Sequence, residues 1–261
     1  MVALADIHPE KSQQLHTSIR ITADGLSFYA KDKESETPII FSHYPYTETS
    51  LSLPLTERVK ELLYRNPQLS HPFISTKIFV EPLEVVIIPE ELSQGKPLAL
   101  TKHSLEESDE EKKDILLNIS GGSGMAVSFS VSEALYSLGV RSFSNPSYSH
   151  IITELIRSSV TLSLETSSKV TCASFTSGCV NIAVAEQGKL LLGNNFIAPQ
   201  SEDAIYHITR VWRGLGMDAL KDHLLLWEEN GESSKLYLYF QERIKEYKAF
   251  TSPEEIARLY L

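Results

Sequence analysis

The chain has 261 residues, which is long enough for one large domain or for two lobes of moderate size. Hydrophobic residues make up 42% of it and charged residues 22%, a composition typical of globular proteins that excludes an intrinsically disordered chain. Acidic residues outnumber basic ones 34 to 24, giving a formal net charge of -10, so neither general nucleic-acid binding nor attraction to anionic membrane surfaces is expected.

The first half begins with a predicted β-hairpin. Apolar residues alternate with polar ones on both sides of Asp24-Gly25, and Asp-Gly between two such runs is a strong hairpin signal. Proline-bounded apolar runs and apolar residues at helical spacing predict the other elements of this half. They are a strand from Pro38, a helix with its N-cap at Thr56 that ends at 66–67, strands over 76–80, 83–88, 115–119 and 125–129, and a helix over 132–138. The charged run over 106–114 predicts a solvated loop or linker.

The second half repeats this alternation of strands and helices. Asn145 and Pro146 predict the cap and first position of a helix whose apolar face contains Ile151 and Leu155. The stretch KVTCASFTSGCVNIAVAEQGKLLLGNNF, over 169–196, predicts three strands joined by tight turns, in a strand cluster that begins near Leu162. The remaining predicted elements are a helix capped by Ser201, a buried strand over 223–227, a long helix over 233–247 and a short helix in the C-terminal stretch SPEEIARLYL.

Several features bear on cellular location. No apolar run approaches the roughly 20 residues that span a bilayer. The N-terminal stretch MVALADIHPEKSQQ has no basic start followed by a long apolar core, so no secretory signal is predicted. Two cysteines, Cys172 and Cys179, are too few for a disulfide framework. We therefore expect a cytoplasmic protein with reduced thiols and no membrane insertion.

The repeated pattern resembles the actin, sugar-kinase and heat-shock-chaperone ATPase superfamily. More narrowly, the chain is similar to an uncharacterised Bacteroidetes family with a degenerate form of that fold, and to actin-like cytoplasmic components of type IV pilus and type II secretion machines. The resemblance implies an α/β fold with two actin-like (ribonuclease H-like) lobes, each a mixed β-sheet with flanking helices. We place the first lobe at 1–160, with an elaborated middle segment at about 76–144, and the second at 161–261.

The resemblance also indicates which residues to compare with a nucleotide site. In that superfamily the first hairpin of each lobe carries Asp-x-Gly and a hydroxyl residue, whose backbone holds phosphate while the aspartate holds magnesium. Matching this motif on Gly25 puts Ala23 at the aspartate position, with Asp24 between them and Ser27 just beyond. The first lobe therefore lacks the expected carboxylate.

The second lobe departs from the family pattern in the same way. Gly178 is the retained turn glycine, Ser174 stands at the aspartate position and Asn181 at that of a later acid. The adenosine turn, a Gly-Gly pair in the superfamily, retains only Gly231. The candidate residual cleft therefore consists of Asp24, Gly25, Ser27, Ser174, Gly178, Asn181, Glu232 and Ser233. Without the aspartates, we expect no catalytic residue, no metal and no cofactor, and bound ATP with Mg2+ is the alternative.

Other motifs carry less specific signals. The stretch ISGGSGM lacks the lysine of a phosphate-binding P-loop, and Ser123 within it lacks the spacing of a nucleophile elbow. His150 and His207 have no second ligand at metal-binding spacing. We interpret these residues as a hairpin turn and as ordinary structural histidines.

Three functional hypotheses follow. The first is a non-catalytic actin-like protein (a pseudo-ATPase) that binds other proteins or associates with itself as a scaffold. The second is a nucleotide-binding protein or very slow Mg-ATPase that uses Asp24 in a residual actin-like cleft. The third is a protein whose cleft binds a small molecule other than a nucleotide. The fold alone does not decide among them, because function depends on the site.

Overall fold

The computed structural model describes residues 9–34, 38–82, 84–93, 113–176, 178–228 and 234–261. The strands are β1 (Leu15–Ile21), β2 (Gly25–Asp32), β3 (Pro38–Pro45), β4 (Ser75–Phe79), β5 (Val85–Pro89), β6 (Lys113–Ser120), β7 (Met125–Ser132), β8 (Pro146–Ser149), β9 (Lys169–Thr176), β10 (Gly178–Glu186), β11 (Lys189–Ala198), β12 (His223–Glu228) and β13 (Glu246–Phe250). The α-helices are α1 (Pro9–Ser12), α2 (Leu55–Arg65), α3 (Glu133–Ser142), α4 (Ile151–Thr166), α5 (Ser201–Gly214), α6 (Lys235–Gln241) and α7 (Pro253–Tyr260).

Two five-stranded sheets share one topology. The first has the strand order β3-β2-β1-β4-β8 and the second the order β11-β10-β9-β12-β13. In each sheet the first three strands of the half are antiparallel, and the next two pair in parallel. The predicted fold of two lobes, each with a mixed sheet and flanking helices, is therefore confirmed, and the internal repeat lies in the sheet topology.

Three strands within the segment predicted as an elaboration, about 76–144, form a separate small sheet, while the bounds of that segment stay a prediction. Its strand order is β5-β7-β6, and both pairings are antiparallel. The charged run predicted over 106–114 lies mostly outside the described residues, but its last two residues, Lys113 and Asp114, already belong to β6. The last two residues of the predicted loop or linker therefore lie in a strand.

Apolar faces bring the two halves together. Helix α4 packs on β9 and β10 of the second sheet and also contacts β6, and it buries Ile151, Ile152, Leu155 and Ile156 as its spacing predicts. This helix spans the lobe boundary placed at 160, which stays a prediction. Helix α7 returns to the first half, where it contacts β3 and α4.

Two element predictions are wrong at their boundaries, the helix from Asn145-Pro146 and the strand cluster near Leu162. Pro146 begins strand β8 instead of a helix, because Asn145 lies in the left-handed region at φ 44° and its amide donates to the Ile74 carbonyl. Helix α4 begins only at Ile151, where the His150 side chain accepts from the Ile152 amide. The strand cluster expected near Leu162 begins at Lys169 instead, since α4 continues to Thr166.

The long helix predicted over 233–247 is also wrong. Helix α6 ends at Gln241, and β13 then adds to β12 in parallel. Phe240 and Ile244 are both buried, so the apolar spacing is real, but a turn satisfies it as well as a helix does. The segment after that turn pairs in parallel with β12, along the edge of β12 that does not pair with β9.

Two helix caps also lie one or two residues before the predicted ones. Pro54, rather than Thr56, precedes the first residue of α2. Gln200, rather than Ser201, is the N-cap of α5, and its backbone N–H donates to the Asp203 carboxylate at 3.1 Å. An acid in the first turn stabilises a helix start with or without a hydroxyl cap.

We expect Gly139→Ala to lower the free energy of unfolding by about 2 kcal/mol. An added Cβ would overlap the Tyr148 hydroxyl oxygen and lie 2.9 Å from Ile78 Cδ1. The Tyr148 hydroxyl lies 2.9 Å from the Leu135 carbonyl oxygen, so its displacement would also cost a buried hydrogen bond. Urea unfolding measures the effect. Gly214→Ala is the control, since an added Cβ meets nothing within 4 Å there, and equal midpoints for the two variants would contradict the prediction.

Candidate functional site

The turns of the two equivalent hairpins face one cavity of about 590 Å3. The β1–β2 turn contributes Thr22 and Ala23, and the β9–β10 turn contributes Thr176, Gly178 and Cys179. The rest of the lining comes from the start of α2, from the segment after β4, from the end of the small sheet and from α3: Pro54, Leu55, Thr56, Val80, Glu81, Pro82, Glu84, Lys113, Ser130, Val131, Ser132 and Leu135, with Ile21. We call this cavity the interlobe cleft.

A buried ion pair lies at the wall of the interlobe cleft. Arg20 Nε donates to Glu81 Oε1 at 2.8 Å, and their side chains are only 2% and 8% exposed. The second carboxylate oxygen, Oε2, accepts from Thr176 Oγ1 at 3.2 Å, and Cys179 Sγ lies 3.9 Å from it. One glutamate therefore connects β1 of the first sheet to the hairpin of the second, and we call this set the Arg20–Glu81 bridge.

Two further side chains contact the Pro82 carbonyl oxygen, next to the Arg20–Glu81 bridge in the chain. Asn195 on β11 donates from Nδ2 to the Pro82 carbonyl oxygen at 3.1 Å, and His150 Nε2 lies 3.2 Å from the same oxygen. His150 is fully buried, and this burial lowers its pKa to about 4. A neutral imidazole can donate from Nε2 to Pro82 while Nδ1 accepts from the start of α4.

The first-lobe candidates occupy the turn without reaching into the interlobe cleft. Asp24 is exposed, and its carboxylate accepts from Thr22 Oγ1 at 2.6 Å, so it is held within its own turn. At Gly25 an added Cβ would lie 2.6 Å from the Tyr44 carbonyl oxygen, and the glycine therefore serves strand packing. Ser27 is buried in β2, where its Oγ lies 3.0 Å from His43 Nδ1.

The second-lobe candidates lie at the neighbouring end of their sheet. Ser174 and Asn181 are register partners on β9 and β10, and both are buried. Asn181 donates from Nδ2 to Cys179 Sγ at 3.7 Å, while its Oδ1 makes no hydrogen bond with the described residues. Gly178 has a φ of 111°, which favours glycine at this turn. Glu232 and Ser233 lie outside the described residues, as does Gly231.

The sequence interpretation missed Arg20 and Glu81, which form the buried ion pair of the site, and Thr176, whose hydroxyl donates to Glu81. Arg20 gave no local signal, because it takes the polar position between Ile19 and Ile21 that the alternation predicts to face solvent, yet it is buried. Its partner is 61 residues away in the chain, and no local pattern indicates that pairing. The structure thus brings Ser174 and Asn181 together as neighbours but places Asp24 on a separate turn.

Among the described residues, the side chains that line the interlobe cleft offer no free carboxylate of the kind that Mg-ATP needs. Mg2+ prefers carboxylate oxygens, and a phosphate chain needs its charge balanced. Ala23 has no donor atom, Glu81 is engaged by Arg20, and Glu84 is paired with Lys113 at 3.5 Å. Among the described residues, no three histidine, cysteine, aspartate or glutamate side chains form a group suited to a metal ion.

The two cysteines are buried thiols. Burial raises the pKa of Cys179 to about 11, and it raises the pKa of the fully buried Cys172 further. Both thiols are therefore protonated at neutral pH, which argues against a nucleophilic cysteine in the interlobe cleft. Within the described part of the chain, no helix is long and apolar enough to cross a membrane.

The chain is similar to solved structures, among them one described as having an actin-like ATPase fold. A Bacteroides thetaiotaomicron protein with an actin-like ATPase fold and unknown function is 23% identical, with a TM-score of 0.79, over 98% of this chain and 99% of that one. The PilM–PilN type IV pilus biogenesis complex matches with 11% identity and a TM-score of 0.59, over 92% of this chain and 89% of that one. The ethanolamine utilization protein EutJ from Carboxydothermus hydrogenoformans is 12% identical, with a TM-score of 0.47, over 95% and 90% of the two chains.

At these identities the likeness establishes the actin-like fold alone. No curated protein sequence matches the chain. A family model described as a protein of unknown function, DUF3822, matches residues 5–246. The match extends through both sheets into β13.

Proposed function

Because this chain belongs to the DUF3822 family and has an actin-like fold, we propose that it is a non-catalytic actin-like protein that binds a partner protein through its interlobe cleft. The observation that carries this proposal is the Arg20–Glu81 bridge between the two hairpins. A carboxylate at this seam joins the lobes instead of holding a metal ion. The interlobe cleft then serves recognition rather than phosphoryl chemistry.

The lining of the interlobe cleft supports an apolar protein segment as its occupant. Pro54, Leu55, Val80, Val131 and Leu135 all line it. Leu55 is the first residue of α2 and lines the interlobe cleft, and its side chain is 39% exposed there. Burying such surface against a partner is favourable by about 25 cal/mol per Å2 of apolar area.

The fold neighbour gives this proposal a precedent. PilM shares the fold and is seen in complex with PilN. An actin-like fold can therefore carry a protein partner, and we extend that property to this chain. A second copy of the chain is an outcome that the test below distinguishes.

Cross-linking from the interlobe cleft tests the proposal. Ala23 is exposed at the rim, so a photo-reactive residue introduced there should cross-link to the partner in the source cells, while one at Tyr64, which is 87% exposed on α2, should not. Leu55→Glu should reduce the Ala23 cross-link at least about tenfold, because it buries a charge against the partner. An acid at this helix position does not oppose the helix dipole.

Leu53→Glu is the matched control, because Leu53 is 40% exposed, precedes the same helix and does not line the interlobe cleft. Mass spectrometry of the cross-linked product distinguishes a different protein from a second copy. Identical products from Ala23 and Tyr64, or an Ala23 product that is unaffected by Leu55→Glu, would contradict the proposal.

The alternative is a nucleotide-binding protein or very slow Mg-ATPase. Its motivation is Asp24, an exposed carboxylate next to the rim of the interlobe cleft. Phosphate release from Mg-ATP that is lost in Asp24→Ala would establish this alternative and reject the non-catalytic one.

A further inference from the structure

A second cavity, of about 290 Å3, lies further along α2 than the interlobe cleft, to whose lining that helix contributes only its start. Helix α2 contributes Arg58, Glu61 and Arg65, which lie on one face because they are spaced by three, four and seven residues. The end of β3 and the loop that follows contribute His43, Tyr44, Tyr46 and Ser50, among others. We call this cavity the α2–β3 cavity.

The charge of the α2–β3 cavity is opposite to that of the chain. The chain carries a formal net charge of -10, yet two arginines and a histidine line this cavity with a single glutamate. Glu61 pairs with Arg65 across one helical turn, where both side chains are partly exposed. Such an exposed pair contributes only about 0.3–0.5 kcal/mol, so Arg65 can readily turn to another anion.

Arg58 has no carboxylate partner among the described residues. Its guanidinium is instead fixed by two backbone carbonyls: Nε donates to Leu53 O at 2.7 Å and Nη1 to Ala23 O at 3.3 Å. The guanidinium also lies over the Tyr46 ring, 5.9 Å from its centroid. The positive charge is thus held in place without being neutralised.

A guanidinium has five N–H groups, and the contacts with Leu53 and Ala23 use two of them. The remaining three make no hydrogen bond with the described residues, while Arg58 lines the cavity. A fixed guanidinium with N–H groups to spare is suited to an oxyanion, because two of its N–H groups can donate in parallel to two oxygens.

We propose that the α2–β3 cavity binds the doubly charged phosphate group of a small molecule, held by Arg58 and Arg65. A dianion gains more from the two guanidinium groups than a monoanion does, and this gain offsets the repulsion from Glu61, which also lines the cavity. Both arginines can donate to the three outer oxygens of a phosphate group, whereas a single carboxylate would be held no better than Glu61 is. The volume, equal to that of about ten liquid water molecules, admits a pyrophosphate or a small phosphate ester.

Inorganic pyrophosphate without metal is the probe for this site, titrated by calorimetry at constant ionic strength. Arg58→Gln should weaken binding by about 10-fold to 100-fold, since it removes charge-assisted hydrogen bonds. Arg65→Gln should weaken it by about tenfold. The control is Arg210→Gln, an exposed arginine on α5 of the other lobe, which should leave the affinity unchanged.

Arg65 protects this test against a folding artefact. Among the described residues its ion-pair partner is the partly exposed Glu61 on the same helix, so Arg65→Gln keeps the fold even if Arg58→Gln loosens the turn at Ala23. Pyrophosphate that does not bind, or that binds Arg65→Gln and Arg210→Gln equally, would overturn the proposal. The Arg65→Gln result is independent of the interlobe cleft, which Arg65 does not line and which Leu55→Glu tests separately.

Discussion

Replacing Tyr260 by alanine should lower the free energy of unfolding by about 4 kcal/mol. Its ring is 1% exposed in the core of the first lobe although it is the penultimate residue of the chain. It stacks on Tyr29 with ring centroids 5.1 Å apart and meets Phe79 edge-on at 4.9 Å. The Arg20 guanidinium lies 5.3 Å from its centroid, so the substitution would also uncover the Arg20–Glu81 bridge.

Guanidinium chloride unfolding measures this effect. The matched control is Tyr64→Ala, which removes the same atoms from a side chain that is 87% exposed and should change stability by less than about 0.5 kcal/mol. Similar midpoints for the two variants would mean that α7 is not packed on the first sheet as described.

Glu81→Leu should destabilise the protein by about 3–5 kcal/mol. It removes one partner of a buried ion pair, and losing the carboxylate that accepts from Arg20 Nε costs more than the new apolar contact gains. It also removes the acceptor of the Thr176 hydroxyl, which links the two lobes.

A double-mutant cycle with Arg20→Met separates the pair from its surroundings. The double variant should recover most of the stability lost in Glu81→Leu, because no charge then remains buried at this position. Losses that simply add would show that the two side chains do not interact, and the lobes would then have to be joined by other contacts.

Much of the fold follows from local patterns in the sequence. The Asp24-Gly25 turn, the alternation in β1 and β2 and the apolar face of α4 are each set by neighbouring residues, and each is where it was predicted. The errors lie where tertiary contacts decide. The segment after Gln241 becomes β13 because β12 offers a free parallel edge, which the spacing of Phe240 and Ile244 does not reveal.

The candidate site was less predictable than the fold. The resemblance pointed to the two hairpin turns, and these do line one cavity. The Arg20–Glu81 bridge depends on a contact between distant parts of the chain, and so does the backbone anchoring of Arg58. Ala23 and Ser174 indicate what the site lacks, but neither indicates what stands there instead.

The most direct test of a non-catalytic interlobe cleft is thermal unfolding with and without excess Mg-ATP. The measurement uses Arg65→Gln, which weakens binding in the α2–β3 cavity and leaves the Arg58 contact with the Ala23 carbonyl intact. A ligand at 100 times its dissociation constant stabilises a protein by about 2.7 kcal/mol, which corresponds to about 5–10 °C for a chain of this size. We predict a midpoint that changes by less than about 1 °C. A rise of 5–10 °C that Asp24→Ala abolishes would contradict the account and establish a working nucleotide site.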